Sequence, residues 1–253
     1  MDVTKLVLAI MTVDRDPQYV HQTLASLFAA DPLIHEMSSI HLMIDASDAD
    51  YLRDYRHHQR LSFHPLRQAE QDRIADWSRH RRFCRNYVRC LSLPIPEGGG
   101  ICVCEDDVVF RDMFVQRLLT TVDELESHTE ASDYCLALFT DCDLEQDASF
   151  YRGLYFCSYA WSFRGTQCMY YPRGVAEDIR GYLQEHGVDR TDDCGDLLIG
   201  KLYADRMYAS PRSLVNHIGD VSTGLGGMPP SPTFHRPYVP ISRDQWGSAS
   251  ESI

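Results

Sequence analysis

GICVCEDDVVF, residues 100–110, sets three consecutive carboxylates, Glu105, Asp106 and Asp107, between two apolar runs. ICVC and VVF have the apolar, β-branched character of strands covered on both faces. Adjacent acids repel one another and are driven toward the protonated form unless a cation or hydrogen-bond donors compensate. Their natural place is the rim of a sheet, at the strand ends where an α/β protein meets its ligand. A hard divalent ion such as Mg2+ or Mn2+ suits them, because it takes carboxylate oxygens and fills the rest of its shell with phosphate and water.

Working outward, residues 5–13 (KLVLAIMTV) form a second apolar run of strand length, stopped by Asp14, Arg15, Asp16 and Pro17. Asp16 before Pro17 reads as an N-cap with proline at the first helical position, and Val20, Leu24, Leu27 and Phe28 follow at helical spacing. Residues 40–44 predict a strand ending at Asp45, residues 49–59 a polar helix, and residues 63–66 a short third strand. Residues 70–91 predict one amphipathic helix, with Ile74, Trp77, Phe83, Tyr87, Val88 and Leu91 inward and the basic cluster RHRRFCR (79–85) outward. After the acids, Asp112 can cap a helix with a broad apolar stripe from Phe114 to Leu125. Residues 134–139 read as a buried strand, 150–171 as extended pieces and turns, and 174–185 and 195–206 as helices. The alternation predicts an α/β fold whose mostly parallel central sheet is covered by helices. One domain over residues 1–227 is expected, followed by an extended Pro- and Ser-rich tail (228–253).

Bulk properties narrow the function. The 253 residues carry 24 Lys+Arg against 37 Asp+Glu, a net charge of −13, which disfavours broad attraction to nucleic acid or anionic lipid. No stretch approaches the roughly 18 consecutive apolar residues of a membrane helix. The apolar opening is too short for a signal sequence, so a cytoplasmic protein is expected. The 9 cysteines are odd in number and lack zinc-site spacing, which favours reduced thiols; Cys135, Cys142 and Cys157 read as small buried residues.

The acidic triplet after a strand resembles the DxD-type motif of the GT-A glycosyltransferases. Three later stretches extend the likeness: GTQCMYYPRGVAEDIRGYL (165–183) resembles the loop, strand and helix over a donor sugar, TDDCGDLLIGKLY (191–203) the helix start that presents a base, and SPRSLVNHIGDVST (210–223) a segment with a metal-binding histidine. Together they span residues 5–224, nearly the whole chain. EDDV, the Asp-Leu-Leu element and the segment around His217 are most similar to the N-acetylglucosaminyltransferase IV family and the related GPI-glycan N-acetylgalactosamine transferases. Those eukaryotic proteins carry membrane anchors and lumenal disulfides that are not expected here, so their acceptors do not carry over.

The resemblance implies a nucleotide-binding half (1–110), a donor-sugar and acceptor half (111–227), and roles for single residues. Asp107 would ligate Mn2+ or Mg2+ with His217; Glu105 would face the ribose or a water of the ion, and Asp106 the donor sugar or a supporting hydrogen bond. Asp196 would be the general base, with Asp193 its rival, although Asp192 and Asp193 also suit a helix cap. Arg82 or Arg85, with Arg79 and Arg81 beside them, would meet the departing diphosphate, unless the run is a solvated face. Asp45 suits the uracil or ribose or a plain strand-end cap, Asp14 and Arg15 the nucleotide, and Gly165 close approach of backbone to the sugar; Tyr159 and Trp161 suit stacking or packing. The implied reaction moves a sugar such as GlcNAc, GalNAc or a related hexose from a UDP-sugar to a hydroxyl on a glycan, small molecule or macromolecule, with inversion, retention staying open. The acidic balance argues against a nucleic-acid acceptor. Two other readings stand: a metal-dependent nucleotidyltransferase or phosphohydrolase, and a carbohydrate- or nucleotide-binding module without chemistry.

Overall fold

β1 (Leu6–Thr12) is buried along its whole length, as a central strand must be when helices cover both faces of its sheet. Leu6, Leu8 and Ile10 enter one apolar cluster and Val7, Ala9 and Met11 the other, so the run read from the sequence serves two cores by simple alternation. In the computed structural model the described residues are 1–129, 133–141, 150–151, 154–157, 166–190, 194–204, 206–210, 212–220 and 229–236.

Around β1 stand β2 (Ser39–Ile44), β3 (Leu61–His64) and β4 (Gly100–Glu105), in the order β3-β2-β1-β4 and all parallel. The sheet continues past β4 through β9 (Cys168–Pro172), β6 (Cys135–Ala137), β10 (Met207–Ala209), β8 (Leu154–Cys157) and β7 (Phe150–Tyr151) to nine strands, of which β8 and β9 run against the others. A separate ribbon pairs β5 (Val108–Phe110) with β11 (Val215–His217).

Helices α1 (Val20–Ala30) and α4 (Phe114–Thr129) cover one face, through Leu24, Leu27, Phe114, Leu118 and Val122. The other face takes α3 (Arg79–Leu91), α5 (Arg173–Leu183) and α6 (Gly195–Tyr203), through Tyr87, Leu91, Ile179, Leu183, Leu198 and Ile199. Each such side chain, fully buried, contributes on the order of 2 kcal/mol of transfer free energy. The buried hydroxyls of Tyr87 and Tyr171 satisfy each other at 2.7 Å.

Because β2 and β4 flank β1 on opposite sides, connections leave the sheet in opposite directions at the β1/β4 boundary and open a crevice at its carboxyl edge. The registers Met11↔Glu105 and Thr12↔Ile44 bring residues 12–15, 45 and 105–107 to that edge.

Several local expectations are corrected. α1 starts at Val20 with Tyr19 as N-cap, so Asp16 caps nothing. Residues 49–59 hold only a short 3-10 turn, Asp50–Tyr55. The helix expected over 70–91 is two, α2 (Gln68–Arg73) and α3, because Ser78 caps a fresh start by accepting from Arg81 N at 3.3 Å. Within the stretch read as a tail, Ser231 N donates to Asn216 Oδ1 at 2.8 Å and Thr233 Oγ1 accepts from Ser213 N at 3.1 Å. Among the described residues no helix is long and apolar enough to cross a membrane.

Candidate active site

The chain that leaves β4 turns inward. Asp106 and Asp107 are 4% and 5% exposed, so they are buried acids rather than a solvated turn. Asp106 is fully engaged with its own protein: Oδ2 accepts from Thr12 Oγ1 at 2.7 Å and Val13 N at 3.2 Å, and Oδ1 pairs with Arg15 Nη2. It ties β4 to the end of β1. The same Arg15 Nη2 lies 3.1 Å from Asp107 Oδ2, and the guanidinium sits over the Tyr19 ring, 4.8 Å from its centroid.

Asp107 differs from its neighbour in keeping one oxygen unspent. Its Oδ2 meets Arg15 and stands 3.5 Å from His217 Nε2, whereas the buried Oδ1 has no hydrogen-bond partner among the described residues. The β5–β11 ribbon makes this meeting: Val108 pairs with His217, and Ile218 N donates to Asp107 O at 2.8 Å. Gly219 completes the corner. A Cβ there would stand 2.6 Å from Asp107 Oδ2 and 3.0 Å from His217 Nε2, so only glycine fits against the pair. Glu105 is partly buried and its Oε1 accepts from Thr166 Oγ1 at 3.3 Å.

The charges are uneven. Burial first, and then the charge of Asp107, push the Glu105 carboxyl up to about 8. Burial pushes Asp106 up to about 6, against the opposing pull of Arg15. At Asp107 burial also acts upward, but the His217 hydrogen bond and the Arg15 charge outweigh it and hold the carboxyl below its ordinary value. The corner thus offers an ionised carboxylate with a vacant lone-pair direction and an imidazole nitrogen beside it. A divalent cation fits that donor set, with Asp107 and His217 as protein ligands and phosphate and water supplying the rest.

Beside the corner lies a cavity of ≈ 230 Å³ whose wall includes Thr12, Arg15, Asp45, Arg82, Phe83 and Glu105. Asp45 follows β2 and is held by Arg82, Nη2 to Oδ2 at 2.8 Å and Nε to Oδ2 at 3.2 Å; its buried Oδ1 has no hydrogen-bond partner among the described residues. Burial raises the Asp45 carboxyl while Arg82 lowers it, the net being upward. The basic run of α3 is therefore not the solvated face it resembles. Arg82 serves Asp45, Arg81 stacks 3.8 Å over Trp77 and donates to Val188 O, and Arg85, 8% exposed, pairs with Glu70 at 3.2 Å. Arg79 and Arg82 line the cavity and Arg85 does not.

The remaining expected residues divide. Asp14 is exposed, accepts from Gln18 Nε2 at 2.5 Å and lies outside the cavity wall. Asp196 stands in the first turn of α6, where its Oδ1 accepts from Leu197 N at 2.8 Å. Gly195 fixes that start: a Cβ would lie 2.7 Å from the Phe83 ring, so α6 begins against the cavity wall. Asp193 and Gly165, like Tyr159 and Trp161, lie outside the described residues. Thr12, Phe83 and Gly219 carry the site without having been read as site residues from the sequence, although each lay within a quoted stretch; their partners are remote in the chain.

No protein family matches the sequence, and no curated protein does. Solved structures do. One of GalNAc-T7 with UDP, GalNAc and Mn2+ is similar over 93% of this chain and 46% of that one, at 9% identity and a TM-score of 0.56. One of S. aureus TarS, residues 1–349, is similar over 83% of this chain and 59% of that one, at 13% identity and a TM-score of 0.53. The chain spans about half the length of each. Such likeness at this identity is a likeness of fold: the chain has the α/β GT-A fold, with its helix-covered, mostly parallel sheet.

Proposed function

We propose that the chain is a metal-dependent glycosyltransferase that moves a sugar from a UDP-sugar to a hydroxyl acceptor. The observation that carries this reading is Asp107 at the switch point of a GT-A fold: its buried Oδ1 has no hydrogen-bond partner among the described residues, its Oδ2 stands 3.5 Å from His217 Nε2, and Gly219 packs against both side chains. In this reading Asp107 and His217 hold Mn2+ or Mg2+, and the ion when bound neutralises the diphosphate that leaves the sugar.

The chain's own residues do the rest. Arg15, already poised on the acidic corner, turns one guanidinium edge toward phosphate oxygens. Asp45, steadied by Arg82, presents Oδ1 to a ribose or base N–H or O–H inside the cavity, with Phe83 forming the apolar wall. Glu105, held near the protonated form by burial, donates toward the ribose or a water without adding charge. Asp196, at the start of the helix abutting Phe83, takes the acceptor hydroxyl's proton as that oxygen attacks the anomeric carbon from the face opposite the departing diphosphate, which gives inversion. Asp193 is the rival for this step. The motif-level likeness to the N-acetylglucosaminyltransferase IV group favours GlcNAc or GalNAc as the sugar and leaves glycan, small-molecule and macromolecular acceptors open.

The deciding experiment incubates purified protein with UDP-, GDP- and CMP-sugars and Mn2+ and follows thermal shift and the released nucleotide. A UDP-sugar that raises the melting temperature and yields UDP supports the proposal. Release of pyrophosphate or phosphate points to the nucleotidyltransferase or phosphohydrolase reading, and binding without turnover, insensitive to Asp196→Asn, to a module without chemistry.

A further inference from the structure

On the core side of the strands that carry the acidic corner, three thiols meet. Cys102 and Cys104 occupy alternate positions of β4, and Cys168 opens β9 opposite Cys104. Glu105 N donates to Gln167 O at 2.9 Å, which makes 105/167 a hydrogen-bonded pair of the antiparallel ladder. Cys104/Cys168 is then the adjoining non-hydrogen-bonded pair, where side chains approach most closely. The sulphurs stand 2.8 Å (Cys104–Cys168), 3.5 Å (Cys102–Cys168) and 3.7 Å (Cys102–Cys104) apart, each residue 0% or 1% exposed within an apolar cluster. Among the described residues this is the only group of three His, Cys, Asp or Glu side chains whose ligand atoms all lie within 4.8 Å of one another.

A buried cysteine is ordinarily a small apolar filler. That account explains one sulphur at a time, and not three converging from two strands. A triangle of sides 2.8, 3.5 and 3.7 Å has a circumradius of about 2.0 Å, so an ion about 1.2 Å off its plane meets every sulphur at the usual metal–sulphur distance of about 2.3 Å. The geometry is a trigonal pyramid with no displacement of backbone. Charge then selects the ion, because net charge in an apolar core is costly. With three thiolates, monovalent copper leaves two negative charges, and divalent zinc leaves one and wants a fourth ligand. A trivalent ion leaves none.

We propose that Cys102, Cys104 and Cys168 form a binding site for a trivalent thiophilic metalloid, with arsenic(III) matching both the pyramid and the neutral charge. Arsenous acid and three thiols give the trithiolate and three waters: three As–O bonds break, three As–S bonds form, each thiol proton leaves on a hydroxide, and no oxidation state changes. Cys104 precedes Glu105, and Cys168 follows the Gln167 whose carbonyl holds Glu105 N, so a loaded site clamps the two strands directly beneath the acidic corner.

The test treats the reduced full chain with arsenite and reads native mass and arsenic X-ray absorption. One arsenic per chain, at the cost of three hydrogens and with three sulphurs in its shell, is the expected result. Cys104→Ala should cut uptake at least tenfold while Cys90→Ala leaves it unchanged. The proposal is overturned by absence of uptake, by a shell of fewer than three sulphurs, by uptake indifferent to Cys104→Ala, or by a Cys104–Cys168 disulfide in the chain as purified. Should Cys104→Ala fail to fold, the sulphur count in the unmodified protein decides alone.

Discussion

Arg15 places one terminal nitrogen, Nη2, against both acids of the corner, pairing with Asp106 Oδ1 and lying 3.1 Å from Asp107 Oδ2. The sharing is unequal in consequence. Asp106 has spent both oxygens on Thr12, Val13 and Arg15, whereas Asp107 keeps Oδ1. One acid holds the edge of the sheet together and the other is left to bind.

Asp106→Asn should therefore be the more damaging change to stability. It uncouples a buried ion pair and turns an acceptor toward a donor, an effect of about 3 kcal/mol. Asp107→Asn loses the attraction of Arg15 and His217 but also relieves its repulsion of Glu105, and should cost less than about 1 kcal/mol. Urea melts of the two variants compare these values directly.

Gly219→Ala tests the close packing of the corner. The added methyl must push Asp107 Oδ2 or His217 Nε2 aside, since it would stand 2.6 and 3.0 Å from them. Affinity for Mn2+ should fall about tenfold or more while far-UV circular dichroism stays that of the parent, as expected when a ligand is displaced without loss of the fold. Isothermal titration of the variant with Mn2+ and UDP reads the change.

Asp45→Asn alters the cavity wall without touching the acidic corner. Asp45 is the acceptor that Arg82 steadies, so its loss should raise KM for the donor about tenfold and leave kcat within a factor of about three, the pattern of lost uniform binding. Initial rates over a range of donor concentrations separate the two constants.

Acid stability should be governed in part by a histidine pair far from the site. His41 Nδ1 meets His64 Nε2 at 2.8 Å, and burial, reinforced by His64, holds His41 down at about 4; burial lowers His64 as well. The folded chain then binds fewer protons than the unfolded chain between pH 6.5 and about 4. Stability is full above the unfolded value and is lost as pH falls through that window. The loss, discounted for partial solvent screening, is on the order of 1 kcal/mol. Melting temperatures at pH 7.5 and 5 should diverge less in His41→Asn than in the parent.

What the sequence disclosed was local. The apolar run of β1, the strand before Glu105 and the helical stripes beyond Asp112 follow from alternation and periodicity alone, and with them the α/β sheet and the position of the acids at its edge. What it concealed was pairing across the fold. Arg85 looks like one more surface cation until Glu70, on a different helix, is seen to meet it, and the division of labour between Asp106 and Asp107 depends on Thr12 at the end of another strand and Arg15 just beyond it. The break between α2 and α3 escaped because Ile74 and Trp77 continue the apolar period across it. Gly219 became informative only once β11 had folded over Asp107.

The central claim is that Asp107 and His217 hold a divalent ion shared with a nucleoside diphosphate. Electron paramagnetic resonance of free Mn2+, titrated with protein and UDP, measures this most directly. One ion per chain should disappear from the free signal in the presence of UDP, and Asp107→Asn and His217→Ala should each restore it. Undiminished Mn2+ uptake by both variants, or none by the parent chain with UDP present, would contradict the account.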